Sequence, residues 1–371
     1  MLNGRKLYID GTCEIIDLLR PYMYREFYDF SQEPISQDSI YILGRKQLGD
    51  NAQRVREIIQ QNQSDIILGN PHEGSETLMR HLQMWGVDDL ARSGRLRIIG
   101  GGDMEDCYDY LLFDHFLPKI LDYQENLLAI ARCEEIYSLQ NKPYKFLFLN
   151  GRGRSHRKYM RERFDQMGLL SQSLWTWLDT NPGGSRTFRI LESGRDLMLE
   201  SRPVQLLPQK YEAERYSVDA SITQAYAKYE LFGGEWGEIY LNADAYIDTY
   251  FSVVTETVFE YPYSFRTEKI WKPIAMGHPW IAVANAGYYR DIKELGFRTF
   301  DTLIDESFDS ITDNLKRIDR IIQIAQDLCK QDLNQFIRAS KDICKYNQQH
   351  LAHMSQRVRQ EFPGRFFQWM I

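Results

Sequence analysis

Short apolar runs alternate with helix-type apolar spacing along most of the chain, and this alternation limits the folds it can adopt. Four runs in the first 140 residues are typical of strands: Lys6–Ile9, Ile40–Leu43, Asp65–Leu68 and Arg95–Ile99. Residues 51–61 and 77–90 lie between or after them and have the spacing of amphipathic helices. Strands that alternate with helices form parallel sheets covered by those helices. We therefore predict an α/β protein.

The chain is longer than one hydrophobic core usually supports, since it has 371 residues. Turn residues at 140–144 interrupt the pattern before a new strand, Lys145–Leu149. We predict a first α/β domain over residues 1–143, a second over 144–345, and a helical tail over 346–371 that packs back on the first domain. Both domains would be Rossmann-like and doubly wound, and they would face a central cleft, where such folds bind ligands.

The second half repeats the alternation after an irregular stretch, residues 181–237. Strands are predicted at Ile239–Leu241, Thr249–Thr255 and Trp280–Ala284, and helices at Glu268–Met276 and Tyr288–Leu295. Residues 108–139 in the first half read as one long helix, or as two helices joined at Pro118.

Composition excludes several classes of protein. The net charge of −7 disfavours nucleic-acid binding, which needs a basic field. The five cysteines are scattered, which argues for a reducing compartment. No run reaches the roughly 20 apolar residues of a membrane span, and the first residues do not resemble a signal peptide. We expect a cytoplasmic protein whose basic, aromatic tail makes at most peripheral membrane contact.

The most informative stretch lies in the second half. A buried strand ends at Glu256, a loop leads to a helix that starts with Thr267, Glu268 and Lys269, and a turn at residues 277–279 precedes another strand. A helix start offers free N–H groups and a positive dipole end, so it can hold a phosphate while the carboxylate accepts ribose hydroxyls. The same residues also suit a purely structural start, with Thr267 as the cap and Glu268 favouring the dipole.

This stretch resembles the donor-binding segment of the α1,3-fucosyltransferases and similar GT-B glycosyltransferases. In that family a strand ends in Phe-Glu-Asn, a loop leads to Thr-Glu-Lys at a helix start, and a Gly-x-(Val/Ile)-Pro turn follows. The counterparts here are Thr255–Thr257, Arg266–Lys269 and Gly277–Pro279. Thr257 replaces the family's Asn, and the aromatic residue before Thr-Glu-Lys is displaced to Phe265. The resemblance covers about a tenth of the chain and implies that Glu268 binds the donor ribose and Lys269 the diphosphate, with Glu256 and Thr267 in the same site.

A basic segment follows the first strand of the second half. Six Lys or Arg residues occur between Arg152 and Arg163, after a glycine-containing turn. A strand, a glycine turn and a basic helix start together form a phosphate cradle. The resemblance implies an arginine for the donor diphosphate at this position, and Arg154 and Arg157 are its two candidates. Arg161 and Arg163 fit a solvated helix face better.

Transfer to a hydroxyl also needs a group that removes its proton. Two loops after predicted strands of the first half carry carboxylates, one with Glu73 and one with Asp103 after Gly100–Gly102. Either residue is a candidate catalytic base, and either is equally suited to a helix start. The three glycines do not match a dinucleotide-binding pattern, so no nicotinamide cofactor is predicted.

Missing motifs narrow the chemistry. The chain contains no Asp-x-Asp triplet, which metal-dependent transferases use to hold the diphosphate through a divalent ion, and no paired His ligands for zinc. We predict a metal-independent glycosyltransferase that uses no cofactor and moves a sugar from a nucleotide-sugar donor to a glycan or lipid-linked glycan. The alternatives are a transferase for CMP-linked acid sugars and a non-catalytic nucleotide- or glycan-binding module of the same fold.

Overall fold

The structure is a computed structural model that describes residues 6–9, 15–22, 39–61, 65–150, 153–177 and 241–371. Its contacts divide the chain into two units. The first unit combines residues up to Pro118 with Tyr263–Phe265 and Met354–Ile371, and the second combines Lys119–Pro262 with Arg266–His353. Residues 119–143, which the sequence assigned to the first domain, cluster with the second unit. The predicted irregular stretch 181–237 lies outside the described residues.

The first unit contains a sheet of five described strands, all parallel. Their spatial order follows the chain: β1 (Lys6–Ile9), β2 (Ser39–Gly44), β3 (Asp65–Asn70), β4 (Leu96–Gly100) and β5 (Tyr110–Leu112). The α-helices described in the first 119 residues are α1 (Ile16–Leu19), α2 (Arg45–Asp50), α3 (Ala52–Gln61), α4 (Ser75–Met84), α5 (Asp88–Arg92) and α6 (Phe116–Lys119).

Alternate side chains of this sheet enter two separate cores, as the two-residue period of a strand requires. On β3, Ile66 and Leu68 belong to a core shared with α2–α5, whereas Ile67 belongs to the opposite core. The opposite core is closed by α1 and by Phe362 and Phe366 from the end of the last helix. Both faces of the sheet are therefore covered, which explains why its strands consist mainly of apolar residues.

The second unit contains four described strands, again all parallel, in the order β7-β6-β8-β9. They are β6 (Phe146–Asn150), β7 (Ser173–Trp177), β8 (Phe251–Thr255) and β9 (Trp280–Val283). The remaining helices are α7 (Gln124–Ile130), α8 (Glu135–Ser138), α9 (Ser155–Gln166), α10 (Ala243–Ile247), α11 (Glu268–Met276), α12 (Tyr288–Glu294), α13 (Asn314–Leu328) and α14 (Leu333–Met370). The chain is thus an α/β protein with parallel sheets. The predicted strand Ile239–Leu241 falls mostly outside the described residues.

Two helix predictions were wrong in detail. The helix predicted over residues 77–90 is two helices, α4 and α5, because Gly86 adopts a left-handed conformation with φ of 67°. Residues 108–139 do not form a long helix: Tyr110–Leu112 join the sheet as β5 and three short helices follow. The backbone of Ile98 donates to Asp109 O over 2.9 Å, so pairing with β4 outweighs the local helical spacing.

The described residues bear on the expectations about cysteines and membrane spans. Their four cysteines (Cys107, Cys133, Cys329 and Cys344) carry free thiols. Among these residues, no helix combines the length and the apolar character that crossing a bilayer requires.

The packing of Phe362 in the core of the first unit gives a prediction about stability. Phe362 is fully buried in the core that includes Leu7, Ile40 and Phe113, and its ring centroid lies 4.7 Å from that of Phe113. Phe362→Ala should lower the free energy of unfolding by about 3–5 kcal/mol, because it leaves a cavity under the sheet. Urea-induced unfolding measures this loss. Gln368→Ala, at an exposed position of the same helix, is the control, and an equal effect in both variants would contradict the packing described.

Candidate functional site

The order of the second sheet defines where a ligand would bind. From β6 the chain first continues to β7 on one side, and the later strand β8 pairs with β6 on the other side. In open parallel sheets, a crevice forms at the carboxyl ends of two neighbouring strands whose connections leave in opposite directions. Among the described strands this point lies between the ends of β6 and β8, at Asn150 and Thr255. The Thr255 hydroxyl donates to Asn150 Oδ1 over 2.7 Å, which holds the two strand ends together.

Glu256, directly after β8, is fully buried and accepts four hydrogen bonds. Its Oε2 accepts from Thr267 Oγ1 at 2.6 Å and from Thr257 N at 3.2 Å. Its Oε1 accepts from Thr267 N at 3.2 Å and from Tyr288 Oη at 3.0 Å. Burial, and then the Glu256 charge, raise the pKa of Tyr288 well above its ordinary value, so this hydroxyl stays a donor. The carboxylate therefore joins the end of β8 to the starts of α11 and α12.

The start of α11 brings together the predicted residues Thr267, Glu268 and Lys269. Thr267 is the N-cap, and its Oγ1 accepts from Lys269 N at 3.4 Å while donating to Glu256. Glu268 is buried and forms an ion pair with the Lys269 ammonium. Burial raises the pKa of the Glu268 carboxyl, but the charge and hydrogen bond of Lys269 and the charge of Lys272 lower it overall. Glu268 is thus an ionised acceptor beside a partly exposed cation.

The start of α9 lies after β6 and carries the two predicted arginines. Arg157 is buried, and its guanidinium donates to the carbonyls of Thr255 and Glu256 over 3.0 and 3.3 Å. Arg154 is the N-cap residue of α9, has an extended backbone and is half-buried. Arg157 consequently holds the end of β8 in place, whereas Arg154 lies closer to solvent. Arg152, the first member of the basic segment, lies outside the described residues.

His156, which precedes Arg157 in α9, is also buried. Its Nε2 lies 2.9 Å from the carbonyl oxygen of Glu256, to which it donates, and its ring stacks on Phe259 with centroids 5.1 Å apart. Burial, followed by the charges of Arg157 and Arg154, lowers the pKa of His156 well below its ordinary value. The imidazole is therefore neutral and has a structural role.

Arg317 of α13 is a functional candidate that sequence reasoning missed. It is buried, and it donates to the carbonyls of Ala284 (3.0 Å) and Phe259 (2.6 Å). These carbonyls lie in the loops that follow β9 and β8, so one guanidinium fixes both loops. A sequence signal existed, since Arg317 lies on the same helix face as the buried Ile321, where a charged residue needs internal partners. Nothing in the sequence pointed to Tyr288.

In the first unit, both predicted catalytic carboxylates lie at the carboxyl edge of the sheet. Glu73 follows β3 and its Oε1 accepts from Arg45 Nη1 at 2.8 Å, with a side chain 26% exposed. Asp103 follows β4, and its backbone N donates to Ser264 O over 2.8 Å. Strands β3 and β4 pair in register up to Asn70 opposite Gly100, which brings both loops to one edge.

The glycines before Asp103 serve close packing. A Cβ on Gly101 would lie 1.9 Å from the carbonyl oxygen of Pro71 and 3.0 Å from the ring of Phe265. Gly102 forms an antiparallel bridge with Phe265. Phe265, the displaced aromatic residue of the donor segment, therefore packs within the first unit. The absence of a side chain at residue 101 lets the loops after β3 and β4 touch.

No three His, Cys, Asp or Glu side chains of the described residues are grouped as ligands of a metal ion would be.

Comparison with protein families, with curated proteins and with solved structures gives no significant match for this chain. Any functional assignment therefore depends on the residues and contacts of the two sheet edges described above. A fold of this class hosts many unrelated reactions, so the side chains at those edges carry the argument.

The Glu256 network gives a stability prediction. Glu256→Gln replaces one acceptor oxygen with an amide group that faces donors, so two buried donors lose their partner. The free energy of unfolding should fall by about 2–4 kcal/mol. Glu294→Gln, a change at a side chain 70% exposed, is the matched control and should have almost no effect. Equal stability of the two variants in urea would contradict the network.

His278, in the turn before β9, gives a prediction about pH. Its Nε2 donates to Thr249 O over 3.0 Å, its Nδ1 accepts from Ser252 Oγ at 2.9 Å, and burial lowers its pKa to about 3. Between pH 6.5 and 3 the unfolded state binds a proton that the folded state excludes. Stability conferred by His278 is therefore full at neutral pH and falls by about 1.4 kcal/mol per pH unit below pH 6.5.

Unfolding free energies measured in urea from pH 7.5 to 4.5 test this. The pH dependence should be shallower by one proton in His278→Gln than in the wild type. His353→Gln, at an exposed residue of α14, should keep the wild-type dependence. An unchanged pH dependence in His278→Gln would mean that His278 is charged in the folded protein.

Proposed function

We propose that this chain is a GT-B-type glycosyltransferase that holds a nucleotide-sugar donor at the carboxyl edge of its second sheet and transfers the sugar to a hydroxyl. One observation carries the proposal. The starts of two helices, α9 with Arg154 and α11 with Thr267, Glu268 and Lys269, follow β6 and the loop after β8, the adjacent strands where the connections diverge. Such a pair of helix starts suits a diphosphate.

Each group of this edge has a chemical role in the proposal. The ammonium of Lys269 and the guanidinium of Arg154 contact the diphosphate, together with the first N–H groups of α11. Their positive charge stabilises the leaving nucleotide as negative charge develops on it, which is where fixed charges lower a barrier most. The chain contains no Asp-x-Asp triplet, so these groups replace a divalent ion in the proposal.

The ion pair between Glu268 and Lys269 suggests how the donor is accommodated. Without a ligand, the ammonium neutralises the buried carboxylate. When a diphosphate arrives, the ammonium turns to it, and the carboxylate accepts hydrogen bonds from the ribose hydroxyls instead. Each group exchanges one partner for another: the ammonium keeps an anionic partner, and the carboxylate keeps hydrogen-bond donors. A buried charge left without any partner would cost several kcal/mol.

The contacts of Glu256 and Arg157 favour positioning roles for both. The sequence assigned both residues to the donor. All four hydrogen bonds of Glu256 go to protein donors, and Arg157 donates to two carbonyls at the end of β8. In the proposal, both act on the donor indirectly: Glu256 holds Thr267 at the start of α11, and Arg157 holds the backbone of Glu256.

The proton of the acceptor hydroxyl goes to a carboxylate of the first unit, Glu73 or Asp103. Oε1 of Glu73 accepts from Arg45, so an acceptor hydroxyl would approach Oε2. The proton moves from the hydroxyl to the carboxylate as the oxygen attacks the anomeric carbon and the nucleotide leaves with its phosphate charge. Glu73→Gln or Asp103→Asn would then lower turnover and leave donor affinity unchanged.

Nucleotide binding tests the proposal directly. Calorimetry with GDP, UDP, CMP and TDP should identify a preferred nucleoside diphosphate. Lys269→Ala should weaken its binding by about 1.5–3 kcal/mol, tenfold or more, because a charge-assisted hydrogen bond is lost. Lys316→Ala, which removes an exposed lysine from α13, is the charge-matched control.

Three results would contradict the proposal. The first is that none of the four nucleotides binds, and the second is that Lys269→Ala keeps wild-type affinity. The third is that sugar transfer disappears in EDTA and returns with manganese or magnesium. Binding of CMP alone would favour a transferase for CMP-linked acid sugars, and binding without hydrolysis of any nucleotide sugar would favour a non-catalytic module.

A further inference from the structure

Two buried polar side chains near the carboxyl end of β3 have no hydrogen-bond partner among the residues that the structure describes. Asn70, the last residue of β3, is 0% exposed, and Ser75, the first residue of α4, is 2% exposed. Within the part of the chain that the structure describes, neither the Oδ1 nor the Nδ2 of Asn70 has a partner, and neither has the Oγ of Ser75. Buried polar atoms of folded proteins are almost always paired, because an unpaired one loses its bonds to water without replacement.

The two side chains lie on the same side of the sheet. Ile66 and Leu68 of β3 point into the core that holds Leu78 and Leu82 of α4. Asn70 has the same parity as these residues, so it also points to the side of α4. Gly74, the N-cap of α4, has no side chain with which to cap the helix, so the first N–H groups of α4 are left for another acceptor. The polar groups of Asn70 and Ser75 that have no partner among the described residues therefore lie on the same side of the sheet, at the end of β3 and the start of α4.

The unpaired atoms limit the chemistry of a ligand. Asn70 offers a donor and an acceptor side by side, which match a hydroxyl or a secondary amide of a ligand. The nearby charges disfavour an anion, since Glu73 follows Asn70 by three residues, Glu76 is in the first turn of α4, and Arg45 is already paired with Glu73. A ligand rich in hydroxyl groups and without charge fits this combination.

We propose that Asn70 and Ser75 form a binding site for a neutral saccharide at the carboxyl edge of the first sheet. The inference rests on the proposed function, in which this saccharide is the acceptor, and it assigns the acceptor to the neutral class. Asn70 is covered in the ligand-free protein, so binding has to shift its covering atoms, and residues 71–74 are the irregular segment next to it. Neighbouring Glu73 would then lie beside the hydroxyl that reacts.

Asn70→Leu separates a binding role from a structural one. Leucine has the same number and branching of side-chain heavy atoms as asparagine and no polar atoms. If the carboxamide is unpaired until a ligand arrives, the variant should raise the midpoint of thermal unfolding by about 2 °C or more. The same variant should lose the saccharide, with at least a tenfold rise in the acceptor KM and an unchanged affinity for the nucleotide. Ser75→Ala should move both quantities in the same directions by less.

Saturation-transfer NMR on the full chain provides a readout that needs no activity. The probes are methyl β-galactoside and methyl β-N-acetylglucosaminide, with sialic acid as the charged comparison. A neutral glycoside should receive saturation from the wild type and from Asn51→Leu, a control whose amide donates to Gln47 O, but not from Asn70→Leu. Sialic acid should receive none.

The outcomes distinguish this inference from the proposed function. A lower midpoint in Asn70→Leu, or unchanged saccharide signals in that variant, would overturn the site even if nucleotides bind as proposed. Saturation of sialic acid alone would overturn the neutral class. If no nucleotide binds, the proposed function fails, yet a neutral glycoside signal that Asn70→Leu abolishes would still support a saccharide site in the first unit.

Discussion

The buried carboxylate of Glu256 is the interaction on which the candidate site of the second unit depends. A charge removed from water is tolerated only when donors replace the lost hydration, and here four donors do so. Two come from Thr267 and one from Tyr288, so the same bonds fix the starts of α11 and α12 relative to β8. Because an unpaired buried charge costs several kcal/mol, loss of these bonds would destabilise the arrangement of the loops.

At the carboxyl edge of the second sheet, buried polar groups and partly exposed polar groups have different contacts. His156, Arg157 and Arg317 are buried, and each donates to backbone carbonyls at the ends of β8 or β9. They satisfy the acceptors that parallel strands leave at their ends, and they turn irregular loops into a rigid support. Arg154 and Lys269 lie nearer the surface, and in the proposal they are the groups that contact the ligand. A rigid support with a few accessible charges is the arrangement that binding an anion favours.

In the first unit, two buried polar side chains differ from those of the second unit because they have no hydrogen-bond partner among the described residues. Its carboxyl edge holds Asn70 and Ser75 without hydrogen bonds among the described residues, beside a loop contact that only the absence of a side chain at Gly101 allows. An unpaired buried amide lowers stability, and an unpaired polar atom can raise affinity for a ligand that completes its bonds. The same physical rule thus applies to both edges: the polar groups of the second edge are satisfied within the protein, and in the proposal a bound saccharide satisfies those of the first.

Local sequence patterns determined much of the secondary structure of this protein. Apolar periodicity predicted the strands β1–β4, β6, β8 and β9, and the helix at Glu268–Met276 with Thr267 as its cap, because these depend on neighbours in sequence. Only the tertiary structure decided that Tyr110–Leu112 form a strand, since the hydrogen bonds that stabilise it come from β4. The same holds for Arg157: its sequence position suits a phosphate, but whether a guanidinium meets a ligand or a carbonyl depends on what the fold places within its reach. Sequence specifies the chemistry of a side chain, and packing decides the partner, because hydrogen bonds act over about 3 Å and that proximity arises only when distant segments meet.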